Sequence, residues 1–259
     1  MNPSFELAGD GSAHVLSALE EFGEASLDLL DARALLRRVD RKYLLSNRVL
    51  NDFLARLRAD YRALRTAGRL AARYRTQYFD TPDRRMFEDH RRGRLPRYKV
   101  RIRHHVDRGL SFLEIKCKKN DGRTLKSVLD RPFGAEGLDR EALEFIGAHC
   151  PVDGALLVPR VSVAFHRATL VGERIDERIT IDLGLELFDD GRRERLPHLV
   201  IVEIKQGRFS NRTPAVRALR AVHVRERPVS KYCLATAKLA PVRTNTFRPA
   251  LLAVERLSA

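Results

Sequence analysis

Residues 97–104 read Arg-Tyr-Lys-Val-Arg-Ile-Arg-His, an alternation of cations with mostly apolar residues. A β-strand sends successive side chains to opposite faces, so Arg97, Lys99, Arg101 and Arg103 share one face and Tyr98, Val100, Ile102 and His104 the other. After the turn Asp107-Arg108-Gly109 the pattern returns, with Glu114, Lys116 and Lys118 alternating with Leu113, Ile115 and Cys117. The hairpin turn Asn120-Asp121-Gly122 leads into a further extended segment, Arg123–Leu129, which carries Lys126. In a later segment Ile201, Glu203 and Lys205 alternate with Val200, Val202 and Ile204. Like charges two residues apart on a strand stand only about 7 Å apart and repel. Repeating such faces over several strands is costly unless an anion or opposing carboxylates sit among them.

A closed or nearly closed antiparallel barrel meets that requirement, with helices outside and a tunnel of Lys, Arg and a few carboxylates inside. The predicted class is α+β. Such a lumen binds a polyanion through charge-assisted hydrogen bonds, with arginine gripping phosphate bidentately. Acids stand two residues before lysines in Asp40-Arg41-Lys42, Glu114-Ile115-Lys116 and Glu203-Ile204-Lys205. These are candidates to hold a hard divalent cation, Mn²⁺ or Mg²⁺, bridging phosphate oxygens.

The rest of the chain reads as one domain of 259 residues, with residues 1–36 a helical extension, 37–240 the tunnel core and 241–259 a C-terminal tail. A helix is expected from Asn47, as its cap, to about Leu64, and others over 136–149 and 213–223. Arg73–Phe79 reads as a strand closed by Asp80-Thr81-Pro82-Asp83, and 156–171, 173–182 and 185–188 read as extended. Val229–Leu239, with Lys231, is grouped with the extended segments.

Charge narrows the partner. Lys+Arg number 49 against 34 Asp+Glu, a net charge of +15, which favours an anionic partner. Only nine of the cations are lysines, and Lys42, Lys99, Lys116, Lys126, Lys205 and Lys231 all fall in strand-like segments. Nucleic acid is not expected: there is no Trp, and the cationic strands lack aromatics on their charged face. No apolar run reaches the roughly 20 residues of a membrane span, no basic-then-apolar leader opens the chain, and three scattered cysteines fit a reducing cytoplasm. Neither a Walker-type glycine loop nor GxGxxG is present.

Six segments in order carry a resemblance: Asp40-Arg41-Lys42-Tyr43, Tyr78-Phe79-Asp80-Thr81, Lys99-Val100-Arg101-Ile102-Arg103, Leu113-Glu114-Ile115-Lys116, Val202-Glu203-Ile204-Lys205 and Ser230-Lys231-Tyr232. Over roughly residues 36–240 the chain resembles the VTC domain, the polyphosphate polymerase domain of the vacuolar transporter chaperone complex and its bacterial relatives, among the triphosphate tunnel metalloenzymes. The resemblance implies an eight-stranded antiparallel tunnel. It also implies metal-dependent transfer of the ATP γ-phosphoryl group onto polyphosphate, where related tunnel enzymes hydrolyse triphosphate. Carried over, Lys42, Arg101, Arg103, Lys116, Lys126 and Lys231 contact phosphates in the reaction. Arg75, Lys99, Arg167, Arg178 and Lys205 are further substrate-binding positions. Glu203 is the principal metal ligand, and Glu114 either joins it or orients Lys116. Asp40 stands where bacterial relatives have Glu, and Phe165 where an aromatic hydroxyl is common. The implied ligands are ATP or another triphosphate, with polyphosphate or pyrophosphate. A membrane partner is compatible with the resemblance, the oligomeric state is open, and so is the choice between phosphate end and water as nucleophile. A polyanion- or nucleic-acid-binding protein without turnover is the non-enzymatic alternative.

Overall fold

A computed structural model describes residues 10–33 and 38–258. Leu35 and Leu36, expected to be helical, lie outside the described residues. The helices are α1 (Asp10–Glu20), α2 (Leu27–Ala32), α3 (Asn47–Ala55), α4 (Arg85–Arg91), α5 (Arg140–His149), α6 (Pro214–Ala221), α7 (Lys231–Leu239) and α8 (Arg248–Ser258). The strands are β1 (Val39–Ser46), β2 (Tyr61–Ala63), β3 (Ala71–Asp80), β4 (Arg97–His105), β5 (Leu110–Lys118), β6 (Thr124–Arg131), β7 (Val158–Gly172), β8 (Glu177–Phe188), β9 (Arg193–Leu196) and β10 (Leu199–Gln206).

The strands form one antiparallel sheet, ordered β1-β10-β8-β7-β3-β4-β5-β6, with β2 added to β7 and β9 to β8. Eight strands thus form the tunnel wall, as expected, but its ends β1 and β6 do not pair, so the ring is not closed. The free edge of β1 is met instead by the segment before α7: Tyr43 bridges Glu226, and the Arg227 amide donates to the Lys42 carbonyl at 2.7 Å. Gly184, at φ +57, belongs to a bulge in β8 where two residues face the single Phe165 of β7, and its left-handed conformation lets the long strand bend.

Strand parity explains the packing. On β1, β10, β8 and β7 the outward set includes Tyr43, Leu45, Val200, Val202, Ile204, Ile179, Ile181, Ala168 and Leu170, all buried under α1, α3 and α6. On β4 and β5 the outward residues Val100, Ile102, Leu113 and Ile115 pack with Met86 of α4 and with Ala142 and Ile146 of α5. Each large apolar side chain buried this way contributes roughly 1.5–3 kcal/mol. A third cluster fills one end of the interior: Leu44, Ile201, Val161, Val163, Phe165, Leu185 and Leu187 meet Tyr232, Leu234 and Ala235 of α7 and Val254 of α8. The inner surface is therefore apolar at one end and charged over the rest.

Several expected boundaries move. The helix at Asn47 ends at Ala55, because the chain turns into β2; Ser46 is its N-cap residue, and Asn47 donates instead to the Pro197 carbonyl. The expected extended segments 173–182 and 185–188 resolve into a bend over 173–176 and one curved strand, β8, from Glu177 to Phe188. Val229–Leu239 is not extended: Lys231 opens helix α7, with Ser230 accepting the Cys233 amide as its cap. Residues beyond 240 are more than a tail, since α8 buries Val254 in the interior cluster.

Candidate functional site

The inner face gathers most of the expected residues. Arg97, Lys99, Arg101 and Arg103 share it on β4, facing Lys118, Lys116, Glu114 and Phe112 on β5, with Lys126 of β6 beside Lys116. On the opposite wall Lys42 pairs in register with Glu203, Glu203 with Thr180, Lys205 with Arg178, and Arg167 with Asp182. Lys231 enters from α7, its ammonium hydrogen-bonded to Asp182.

Arg75 is a correction. On β3 it is Tyr74, Thr76 and Tyr78 that face inward, opposite His105, Arg103 and Arg101. Arg75 therefore points outward, pairing with Glu136 at 2.8 Å and lying over Phe188. A second correction concerns aromatics, which the charged face does carry. Tyr74 and Phe165 stack nearly parallel at 5.5 Å. Arg103 and Arg167 cover both rings at 5.2–6.0 Å, and Lys231 stands 4.6 Å from the Phe165 centroid. Three cations from β4, β7 and α7 thus converge above one apolar floor, where cation–π attraction helps hold them. The rings are covered by cations rather than presented as platforms for bases.

Carboxylates set the cations. Asp182, 1% exposed, takes a bidentate contact from Arg167 at 2.6 and 2.8 Å and also accepts from Lys231. Lys231 is the first residue of its helix, where the dipole disfavours a cation, so Asp182 is what makes the placement tenable. Glu114, 2% exposed, accepts from Arg101 on one oxygen at 2.6 Å and from Lys126 on the other at 2.5 Å. Its partners are thus Arg101 and Lys126 rather than Lys116. Arg101 also donates to the Tyr78 hydroxyl at 3.3 Å, and Arg103 to Thr76 at 3.2 Å. Lys205 pairs with Glu203 at 2.7 Å, while Lys42 donates to the Val229 carbonyl at 3.1 Å.

Other cations have no such match. Among the described residues Lys99, Lys116 and Arg178 have no carboxylate at ion-pair distance. Burial, with Lys42 and Arg97 nearby, pushes Lys99 down to about 8. Arg101, then burial and Arg103, push Lys116 well below the usual lysine range. Burial, then Arg167 and Lys42, lower Lys231 to about 8 despite Asp182. Burial alone would raise the Glu203 carboxyl, yet Lys205, Lys42 and Arg167 hold it well below its ordinary value. Glu114 and Asp182 are likewise held low by their cations against the effect of burial. The face is charged, short of anions and partly dehydrated.

Among the described residues no three His, Cys, Asp or Glu side chains gather as a metal cage. A hard cation such as Mg²⁺ is commonly held by one or two carboxylates with phosphate oxygens completing its shell. Glu203 fits that role: it is half-buried, and Lys205 meets only one of its oxygens. Across from it the Thr180 hydroxyl is buried with no hydrogen-bond partner. Glu114 does not fit, because both its oxygens are already engaged.

The VTC domain matches residues 37–131 and 152–240. This chain belongs to the VTC domain family. No curated protein matches it. Among solved structures, HpAC1 from Hippeastrum, named an adenylyl cyclase and described as having a dominant triphosphatase activity, aligns with this VTC domain at TM-score 0.51 and 13% identity. The alignment covers 79% of this chain and 98% of that one. A protein from Bacillus halodurans named an adenylate cyclase aligns at TM-score 0.47 and 16% identity, over 78% and 96% of the two chains. The Hippeastrum likeness supports the tunnel fold. Inward-facing residues that no sequence motif marks as such are Asp182, Tyr74, Tyr78, Thr76 and Thr180. Asp182 shares the parity of Arg178 and Thr180, which is the signal that marks it as inward-facing.

Proposed function

We propose that this VTC domain is a metal-dependent polyphosphate polymerase that transfers the γ-phosphoryl group of ATP to the end of a polyphosphate chain. One observation carries the reading: Arg103, Arg167 and Lys231 converge over the Tyr74–Phe165 pair while Lys99 and Lys116 nearby lack carboxylate partners. Buried cations without counter-ions are expensive, and a chain of phosphates supplies the missing charge.

Phosphoryl transfer asks the protein mainly for positioning and charge neutralisation. Arg101, fixed by Glu114 and Tyr78, and Arg103, fixed by Thr76, present oriented forks to phosphate oxygens. Arg167 and Lys231, tied to Asp182, approach from the other wall. Lys42, Lys116, Lys126, Lys205, Lys99 and Arg178 surround this centre and offset charge on the transferred group and on the leaving diphosphate. Glu203 would hold Mn²⁺ or Mg²⁺, which when bound supplies Lewis-acid neutralisation of phosphate oxygens. The apolar cluster behind Phe165 gives the cations a firm floor on that side, and the attacking group of this reading is a phosphate end rather than water.

The test is incubation of purified protein with ATP and Mn²⁺, resolved by gel for polymer and assayed for free phosphate, beside Glu203→Ala and Arg101→Ala. Polymer made by wild type and lost in both variants is the expected result. Orthophosphate without polymer would assign a triphosphatase instead. Triphosphate bound but left intact would assign a binding protein.

A further inference from the structure

Arg97 and Lys118 extend the cationic face past the centre just described. They face each other directly on β4 and β5, one row beyond the Lys99–Lys116 pair, itself continued by Lys126. Like charges directly opposed across an antiparallel pair are destabilising. Neither residue has a carboxylate at ion-pair distance among the described residues, whereas Arg123, at the nearby hairpin tip, is paired with Asp121 at 2.6 Å. The inner carboxylates Glu114, Asp182 and Glu203 all belong to other rows.

The charge at this end is felt on a third side. His90 of α4 is held neutral, its pKa pushed down to about 3 by burial and by Lys99, Arg97, Lys42 and Lys118, and its Nδ1 has no hydrogen-bond partner. Each row advances about 7 Å, so Arg103 to Arg97 covers about 20 Å of strand. That length exceeds what a single triphosphate bridges.

We propose that Arg97 and Lys118 form a distal subsite for the phosphates of a longer inorganic polyphosphate, beyond those of the reacting triphosphate. The identity of the anion rests on the function proposed above; the subsite is a separate claim about chain length. Phosphates lying between the opposed cations relieve their repulsion, so affinity grows with each phosphate that reaches the row.

The experiment is calorimetric titration of inorganic triphosphate and of polyphosphates of increasing length into wild type, Arg97→Gln, Lys118→Gln and the double variant. Arg140→Gln, an exposed position on α5, controls for net charge. The double variant is expected to lose about tenfold or more in affinity for long chains, and several-fold less for triphosphate. Circular dichroism melts establish that the variants fold. Equal losses at every length, or a loss matched by Arg140→Gln, would overturn the subsite while leaving the tunnel reading in place. A wild type that binds long chains no better than triphosphate would do the same. A wild type that binds neither would remove the tunnel reading, and the subsite with it.

Discussion

The Tyr232 hydroxyl donates a hydrogen bond to the fully buried Asp80 carboxylate, and this bond fixes the start of α7 against β3. Asp80 also accepts the Thr81, Met86 and Phe87 amides, so it ties α4 and α7 to one point. Tyr232 stacks on Tyr78, which holds Arg101, and its neighbour in sequence is Lys231. Tyr232→Phe keeps the ring and removes the bond. It is expected to cost about 1.5–3 kcal/mol in urea unfolding and to lower kcat more than it raises KM. A variant with wild-type stability would show that the bond does not hold α7.

Asp182→Asn takes from Arg167 and Lys231 the carboxylate that pairs with both, leaving only the more distant charge of Glu203 on Arg167. Removing one member of such a group typically costs about 3–5 kcal/mol. A bound polyanion restores the missing negative charge, so triphosphate should raise the melting temperature of the variant more than that of wild type. Thermal melts with and without triphosphate decide it, and an equal rise in both proteins would refute the account.

Glu114→Gln frees Arg101 and removes a negative charge from a site built for anions. Ground-state binding should tighten or hold while turnover falls about tenfold or more, since Arg101 loses its fixed orientation. Steady-state kinetics separate this from a purely structural lesion, which would raise KM, and the Mn²⁺ dependence should be unchanged because both Glu114 oxygens are engaged by cations.

Lys99 and Lys231 give a pH dependence with a definite sign. Both titrate near 8 in the free protein, below the ordinary lysine value. Bound phosphate favours their charged forms, so binding takes up protons above about pH 8 and affinity falls as pH rises further. Folding runs the other way. Between about 8 and the unfolded value near 10.4 the unfolded chain holds more protons, so these two groups make stability rise with pH there. Calorimetry at pH 7, 8 and 9 in buffers of different ionisation enthalpy measures the proton uptake directly. Affinity that is flat or rising from pH 8 to 9 would contradict the arrangement.

The β4 and β5 faces were legible because only one parity of residues 97–104 and 113–118 is apolar enough to be buried. The segment Arg73-Tyr74-Arg75-Thr76-Gln77-Tyr78 offers no such decision, since it alternates equally well either way. Its arginines face outward because Asp107 and Glu136, remote in sequence, wait for them there. Lys231 stands out in the sequence, but the apolar run after it suggests a strand, although its Ser230 cap signals the helix start that the structure has. That β1 and β6 do not pair with each other depends on long-range curvature, about which no local pattern speaks.

Those two edges matter for how a long substrate is handled. A cylinder bonded all the way round admits a polymer only by its tip, like thread through a needle. Here no ladder joins β1 to β6, and the β1 side of the seam is covered by the segment before α7 through the Tyr43–Glu226 bridge and the Arg227–Lys42 bond. On the proposed polymerase reading, a polymer laid in or shed sideways, mid-chain, would have that short segment to displace rather than a strand ladder, and the remaining ladders would keep the cations in register.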